Sequence, residues 1–303
     1  MSHTTNLFRY LNTLSSEELH KCLLHNGVLG LSYERSDLLP STHAKDAKTQ
    51  YLKQWQQNQG YLKFLSAHAQ QLAAIDESIT ILKGCALLSD IYVSSLGARF
   101  MSDVDMLIDA TKRDAVVKYL ESAGLTSSRK QTWYGDAHKV EMHGVFEGIQ
   151  LTVELHTKLF YHQDNFEFET VPCHQFYKKM APEYQLVHLI SHFCFQHTMQ
   201  KLYWFFDIAL FLESHHKTLN WYLVNEIARQ WGVYNSYCYT LGAINQHWKK
   251  LAPSIQGRFQ HLIDEEFLAS DNQRTFKYLF LKLAFKDSVK LNFKYSLGWL
   301  GRR

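Results

Sequence analysis

Proline and paired cysteine are scarce in this chain of 303 residues, which holds four prolines and five cysteines. Cys22, Cys85, Cys173, Cys194 and Cys238 lie far apart, form no C-x-x-C pair and are odd in number. That pattern excludes a disulfide framework and fits buried thiols in a reducing compartment. No run of about 18 apolar residues occurs, and the N-terminus lacks the charged start, apolar stretch and small-residue cleavage site of a secretory signal. A cytoplasmic protein without a membrane span is therefore expected. Excess charge is missing as well: the net formal charge is +3, so electrostatics demand no nucleic-acid partner. With 46% hydrophobic and 20% charged residues, the chain can bury one large core or two modest ones.

Glycine is absent between Gly148 and Gly232, whereas six of the 14 glycines fall between Gly84 and Gly148. Tight turns between short strands use glycine and long helices exclude it, so a turn-rich α/β segment followed by helices is expected. Three regions follow: helices over 1–75, a mixed core over 76–172, and a helical domain over 173–303. In the first, "SSEELHKCLLHNG" offers Ser15 or Ser16 as an N-cap, an apolar stripe of Leu19, Leu23 and Leu24, and Gly27 as the stop. Apolar residues at helical spacing (Tyr51, Trp55, Leu62, Leu65, Leu72) predict a further helix, with the glutamine-rich "QWQQNQG" as a solvated face.

In the core, "SITILKGCALLSDIY" reads as strand, glycine turn and helix, and "VDMLID" as a buried strand. "TKRDAVVKYLESAG" predicts a helix capped by Thr111 with Asp114 in a capping box. "HKVEMHGV" and "GIQLTVELHTKLF" alternate with period two and are joined by "FEG", an antiparallel hairpin. Leu151, Val153 and Leu155 would take one face and Thr152, Glu154 and His156 the other. From Glu183 onward the pattern is helical again.

The chemistry concentrates in "GARFMSDVDMLID". Asp103 and Asp105 are two apart on a strand, so they project from one face within about 7 Å of each other. At an effective dielectric near 20 they repel by roughly 2 kcal/mol, and a cation or shared proton should accompany them. A divalent ion such as Mg²⁺ takes carboxylate oxygens, and Glu154, on a strand of the same sheet, is the candidate third ligand. The turn "LKGCALL" adds a place where backbone N–H groups at a helix start, with Lys83, would meet phosphate. Glu154 is alternatively a cross-strand partner of Lys139, and Lys83 and Arg99 alternatively form salt bridges. His188, His192 and His197 lack the H-E-x-x-H pattern and are expected to pack rather than bind metal. Asp207, among aromatics, needs a partner, expected to be a backbone or histidine hydrogen bond. The basic, aromatic tail "KLNFKYSLGWLGRR" is expected to dock as a C-terminus, with an anionic partner or membrane surface as the alternative.

"ILKGCALLSDIY", "LGARFMSDVDMLID", "YLESAGL" and "VELH" resemble the uncharacterised nucleotidyltransferase-like family of the DNA polymerase β-type nucleotidyltransferase superfamily. "HLISHF", "LYWFFDIALFL" and "NWYLVNEIA" are similar to its helical region. The resemblance implies an α+β nucleotidyltransferase fold: a small mixed β-sheet flanked by N-terminal helices and a C-terminal helical domain. It implies transfer of a nucleoside monophosphate from an NTP, ATP among them, to a hydroxyl acceptor, with release of pyrophosphate. Asp103, Asp105 and Glu154 would be the catalytic and metal-binding acids for Mg²⁺ or Mn²⁺. Lys83, Gly84, Cys85, Arg99 and Ser102 would bind the nucleotide. Cys85 stands where the superfamily commonly has serine. The acceptor would be a small molecule, sugar, peptide or protein, with no DNA template. Two rival readings share these residues: a non-catalytic nucleotide- or partner-binding module, and a phosphotransferase or metal-dependent hydrolase.

Overall fold

The computed structural model describes residues 5–37, 39–40, 43–127, 139–160, 167–270, 275–288, 290 and 292. Nearly all of the basic tail therefore lies outside the described residues. The chain forms two compact units: Met1–Trp55, Ser94–Phe100 and Pro182–Val289 compose one, and Gln56–Val93 with Met101–Ala181 the other.

The first unit is helical. It contains α1 (Asn6–Leu11), α2 (Ser16–His25), α3 (Leu29–Glu34) and the start of α4 (Ala44–Ile75), then α7 (Pro182–Ile190), α8 (Leu202–His215), α9 (Trp221–Gln230), α10 (Tyr234–His247), α11 (Glu265–Ala269) and α12 (Phe276–Ala284). α2 begins as its sequence predicts, with a capping box in which Ser15 receives the Glu18 N–H and Glu18 receives the Ser15 N–H. The N-terminal and C-terminal helices share this unit rather than forming two separate regions, and Asn26 shows why. Fully buried at the end of α2, its amide donates to the Ala269 carbonyl at 2.8 Å and accepts from the Leu202 N–H at 3.1 Å. One side chain thus satisfies the end of α11 and the start of α8, groups that would otherwise lie unpaired in the interior.

The second unit carries a seven-stranded mixed sheet in the order β3-β4-β5-β2-β1-β7-β6. The strands are β1 (Thr80–Ile81), β2 (Val104–Leu107), β3 (Thr126–Ser127), β4 (Lys139–Phe146), β5 (Ile149–His156), β6 (Thr170–Pro172) and β7 (Lys178–Met180), with α5 (Lys83–Leu88) after β1 and α6 (Arg113–Ser122) after β2. β4 and β5 form the predicted hairpin. Its two-residue turn places Glu147 and Gly148 at φ of 47° and 78°, matching the twist of the strands it joins. Period two then sorts the side chains. Val104, Met106, Met142, Leu151, Val153 and Leu155 are all at most 2% exposed, each contributing about 1.5–3 kcal/mol on burial. The second half of α4 lies close to β5: a Cβ at Gly60 would sit 2.7 Å from Ile149 Cγ1, so only glycine fits.

Three expectations are corrected. Thr111 does not cap α6; its N–H and hydroxyl are both drawn to Asp109 at 2.7 Å, so an aspartate-led turn precedes the helix. The run "QWQQNQG" is not a solvated face, because Gln54 is 5% exposed and Asn58 fully buried. α5 stops at Leu88, short of Ile91 and Tyr92.

Asn26→Ala leaves the Leu202 N–H and the Ala269 C=O without their partner, so a loss of about 2–4 kcal/mol is expected. Urea unfolding of the full chain measures it, and a change within about 0.5 kcal/mol would contradict the assigned role.

Candidate active site

The site begins with a turn. β1 ends at Ile81, the Leu82 N–H donates to the Asp105 carbonyl at 3.0 Å, and Lys83, the first residue of α5, takes φ of 46°. A left-handed backbone is costly for a residue with a Cβ, of order 1 kcal/mol, and survives where surroundings fix it. Here Lys83 Nζ reaches Asp105 Oδ1 at 2.6 Å.

Strand register supplies the rest. β2 runs parallel to β5 with Asp105 beside Glu154, and β5 runs antiparallel to β4 with Glu154 beside Glu141 and His156 beside Lys139. All these residues share the sheet face opposite the apolar one. His156 Nε2 lies 2.8 Å from Asp105 Oδ1 and 3.4 Å from Glu154 Oε2. Lys139 pairs with Glu154 Oε1 and stands 3.9 Å from Glu141. Among the described residues, Asp105, Glu154 and His156 form the one group of three potential metal ligands, their ligand atoms all within 4.8 Å of one another.

Burial and charge oppose each other throughout this group. Burial works against the charged form of Asp105, but the Lys83 ammonium and the His156 hydrogen bond outweigh it and hold the carboxyl well below its usual range. Glu154 is lowered too: burial and the Asp105 charge push upward, while the hydrogen bond from His156 and the contact with Lys139 prevail. For Lys83, burial favours the neutral amine, yet the charges of Asp105, Glu154 and Asp103 together raise its pKa. Asp103 sits half-buried just before β2, close enough for its charge to act on Lys83 and on the Tyr61 hydroxyl.

The sequence candidates separate accordingly. Asp105, Glu154 and Lys83 are brought together. Ser102 is exposed beside Asp103, and Gly84 and Cys85 are buried in the first turn of α5, with Cys85 only 2% exposed. Arg99 belongs to the helical unit. There its Nε donates to Asp207 Oδ1 at 3.2 Å and its Nη2 to Oδ2 at 2.7 Å, with side chains 6% and 1% exposed. That fork gives Asp207 an arginine partner 108 positions away. Lys139 is the cross-strand partner foreseen for Glu154. His156 was missed as a site residue, although the alternation Thr152, Glu154, His156 already set it on the acidic face. His192 and His197 pack around Trp204, with ring centroids 4.7 Å and 4.6 Å from the indole.

The model of a family described as an uncharacterised nucleotidyltransferase matches residues 12–249. The chain belongs to this family. No curated protein matches the sequence. Among solved structures the chain is similar to a candidate nucleotidyltransferase from H. pylori, at 16% identity and a TM-score of 0.40, covering 79% of this chain and 96% of that one. It is also similar to JHP933 from Helicobacter pylori, at 15% identity and a TM-score of 0.35, covering 77% and 97%.

Removing one partner of a buried pair leaves the other charge uncompensated, which costs about 3–5 kcal/mol. Asp105 has a folded pKa below its unfolded value of about 3.9, so its pairing stabilises the protein above that pH and is lost as pH falls through the folded value. Lys83→Met is therefore expected to lower stability at neutral pH and to move acid unfolding to higher pH. Adding Asp105→Asn should recover most of the loss. Chemical unfolding across pH tests both, and a double variant no better than Lys83→Met would contradict the pairing.

Proposed function

We propose that this nucleotidyltransferase-family protein is a metal-dependent enzyme that moves a nucleoside monophosphate from an NTP to a hydroxyl acceptor and releases pyrophosphate. The observation that carries this reading is the pairing of Asp105 with Glu154 on adjacent parallel strands, side by side on the polar face. Charge supports it. Four carboxylates (Asp103, Asp105, Glu141, Glu154) surround two ammonium groups (Lys83, Lys139), which leaves the face net negative before any cation arrives. The donor set also fits a hard divalent ion, since both hydrogen bonds to Asp105 land on Oδ1 and, among the described residues, Oδ2 accepts none.

Asp105 and Glu154, with Asp103, would hold Mg²⁺ or Mn²⁺, which would supply Lewis acidity and charge neutralisation at the phosphates. His156, donating to Asp105, orients that carboxylate rather than competing for the ion. Lys83 would exchange its contact with Asp105 for the triphosphate. Because the Cys85 thiol is buried, Gly84 and Cys85 would meet phosphate through backbone N–H groups alone, which removes the need for a serine hydroxyl. The exposed Ser102 hydroxyl, next to Asp103 in the chain, would add a contact to the nucleotide. The acceptor oxygen attacks the α-phosphorus as the bond to the bridging oxygen breaks. Pyrophosphate leaves, and Glu154 takes the acceptor proton. Arg99 has no part in this scheme, since its fork holds Asp207. The acceptor is a small molecule, sugar, peptide or protein.

The test is incubation of the full chain with each α-labelled NTP, Mg²⁺ or Mn²⁺ and a panel of acceptors. Label transfer with pyrophosphate release is expected, and Asp105→Asn or Glu154→Gln should reduce it by at least about 10²-fold. Transfer unaffected by both substitutions would overturn the assignment. Release of inorganic phosphate alone would favour the hydrolase reading, and stabilisation by NTP without turnover the binding module.

A further inference from the structure

The polar face of the sheet continues past the acids. Leu107 follows Asp105 by two residues on β2 and pairs with His156 on β5 and Thr80 on β1, so all three share the face of Asp105 and Glu154. Leu107 and Thr80 line a cavity of about 420 Å³, a size that suits a small molecule. Because β1 runs antiparallel to β2, Lys83 lies at the Asp105 end of these strands and Ser78 and Asp109 at the other. Asp105 therefore stands between the turn assigned to the triphosphate and this cavity.

A buried carboxylate braces the cavity wall. Asp76, 4% exposed, accepts the Ser78 N–H and hydroxyl on Oδ1 at 2.9 Å and 2.5 Å, and the Asp109 N–H on Oδ2 at 2.8 Å. The Thr80 hydroxyl donates to the Ser78 carbonyl at 3.1 Å, so the Ser78 and Thr80 oxygens are left as acceptors. Carboxylates add to them: both bonds to Asp109 land on Oδ1, and among the described residues neither its Oδ2 nor the exposed Glu167 carboxylate accepts a hydrogen bond. One ammonium, Lys158, accompanies these two carboxylates, which leaves the lining at −1. Phe168 adds an aromatic surface.

We propose that this cavity binds a polyol of monosaccharide size that carries no acidic group, and presents one of its hydroxyls to the acids as the acceptor. A wall rich in acceptors calls for a ligand rich in donors, and its excess negative charge disfavours a phosphate or carboxylate on that ligand. The C–H face of a sugar ring would pack on Phe168. A polypeptide fits less well, since its backbone brings one C=O acceptor for every N–H donor. The acceptor role rests on the transfer reading above; the binding rests on the cavity alone. In the transfer, a polyol oxygen bonds to the α-phosphorus, the bond from phosphorus to the pyrophosphate oxygen breaks, and the hydroxyl proton passes to Glu154.

Saturation-transfer NMR of the full chain with glucose, mannose or myo-inositol, each set against glucose 6-phosphate and glucuronate, reads the cavity without turnover. At least one neutral polyol should bind, at least about tenfold more tightly than the two acidic sugars. Ala110→Trp places an indole at an exposed position of the lining; the melting temperature should match the parent, and affinity for the polyol should fall by about tenfold or more. With α-labelled NTP, the same variant should raise KM for the polyol by about tenfold and leave KM for the NTP within about twofold. No binding of a neutral polyol, equal binding of an acidic sugar, or an Ala110→Trp variant that binds like the parent would each overturn the proposal. Label transferred to a peptide or protein but to no polyol would also overturn it while upholding the transfer reading. A polyol that binds, is lost in Ala110→Trp and receives no label from any NTP would uphold the cavity and overturn the acceptor role.

Discussion

A buried carboxylate on β2 organises the sheet unit. Asp105 is 3% exposed, and a lone carboxylate at such a depth would be protonated rather than charged. It stays ionised because the chain leaves β1 through a left-handed residue whose ammonium meets it, and because β5 brings an imidazole alongside. The same parallel register that provides His156 also sets Glu154 next to Asp105. Repulsion between neighbouring acids is held in check by two lysines, Lys83 on Asp105 and Lys139 on Glu154. Both acids stay ionised, Asp105 and Glu154 alike being held below their usual range.

Much of this arrangement was legible in the sequence because it follows from local periodicity. The alternation through "VDML" sets Asp105 on the polar face of β2, with Asp103 just before the strand, and the alternation over residues 149–156 sends Glu154 and His156 to a common side. The hairpin turn, the capping box at Ser15 and the long α4 carry their own residue-level signals. What stayed hidden depends on partners distant in the chain. Nothing near Arg99 announces Asp207, and nothing near Asn26 announces Leu202 and Ala269. Composition alone also misjudged Gln54 and Asn58, polar residues that the helical pattern of α4 turns inward. At Thr111 two cap signals competed, and the Asp109 carboxylate, two residues earlier, captured the hydroxyl.

The two units divide the work by chemistry. The helical one is held by buried polar pairings, the Arg99–Asp207 fork and the Asn26 amide, which fix helix ends and leave few alternatives for packing. The sheet unit instead spreads ionised groups over one face and keeps the apolar core on the other. Arg99 shows the value of separating these roles: an arginine four residues before the D-x-D pair suits phosphate by type, yet its guanidinium satisfies a fully enclosed aspartate.

The central claim is that Asp105 and Glu154 jointly hold a divalent ion while Lys83 turns to the triphosphate. A crystal structure of the full chain with Mn²⁺ and a non-hydrolysable NTP tests it most directly through the anomalous signal of manganese. The account predicts a peak bonded to oxygens of Asp105 and Glu154, with Lys83 Nζ moved from Asp105 to a phosphate oxygen. Nucleotide bound elsewhere, with Lys83 still on Asp105 and no manganese at the two carboxylates, would contradict it.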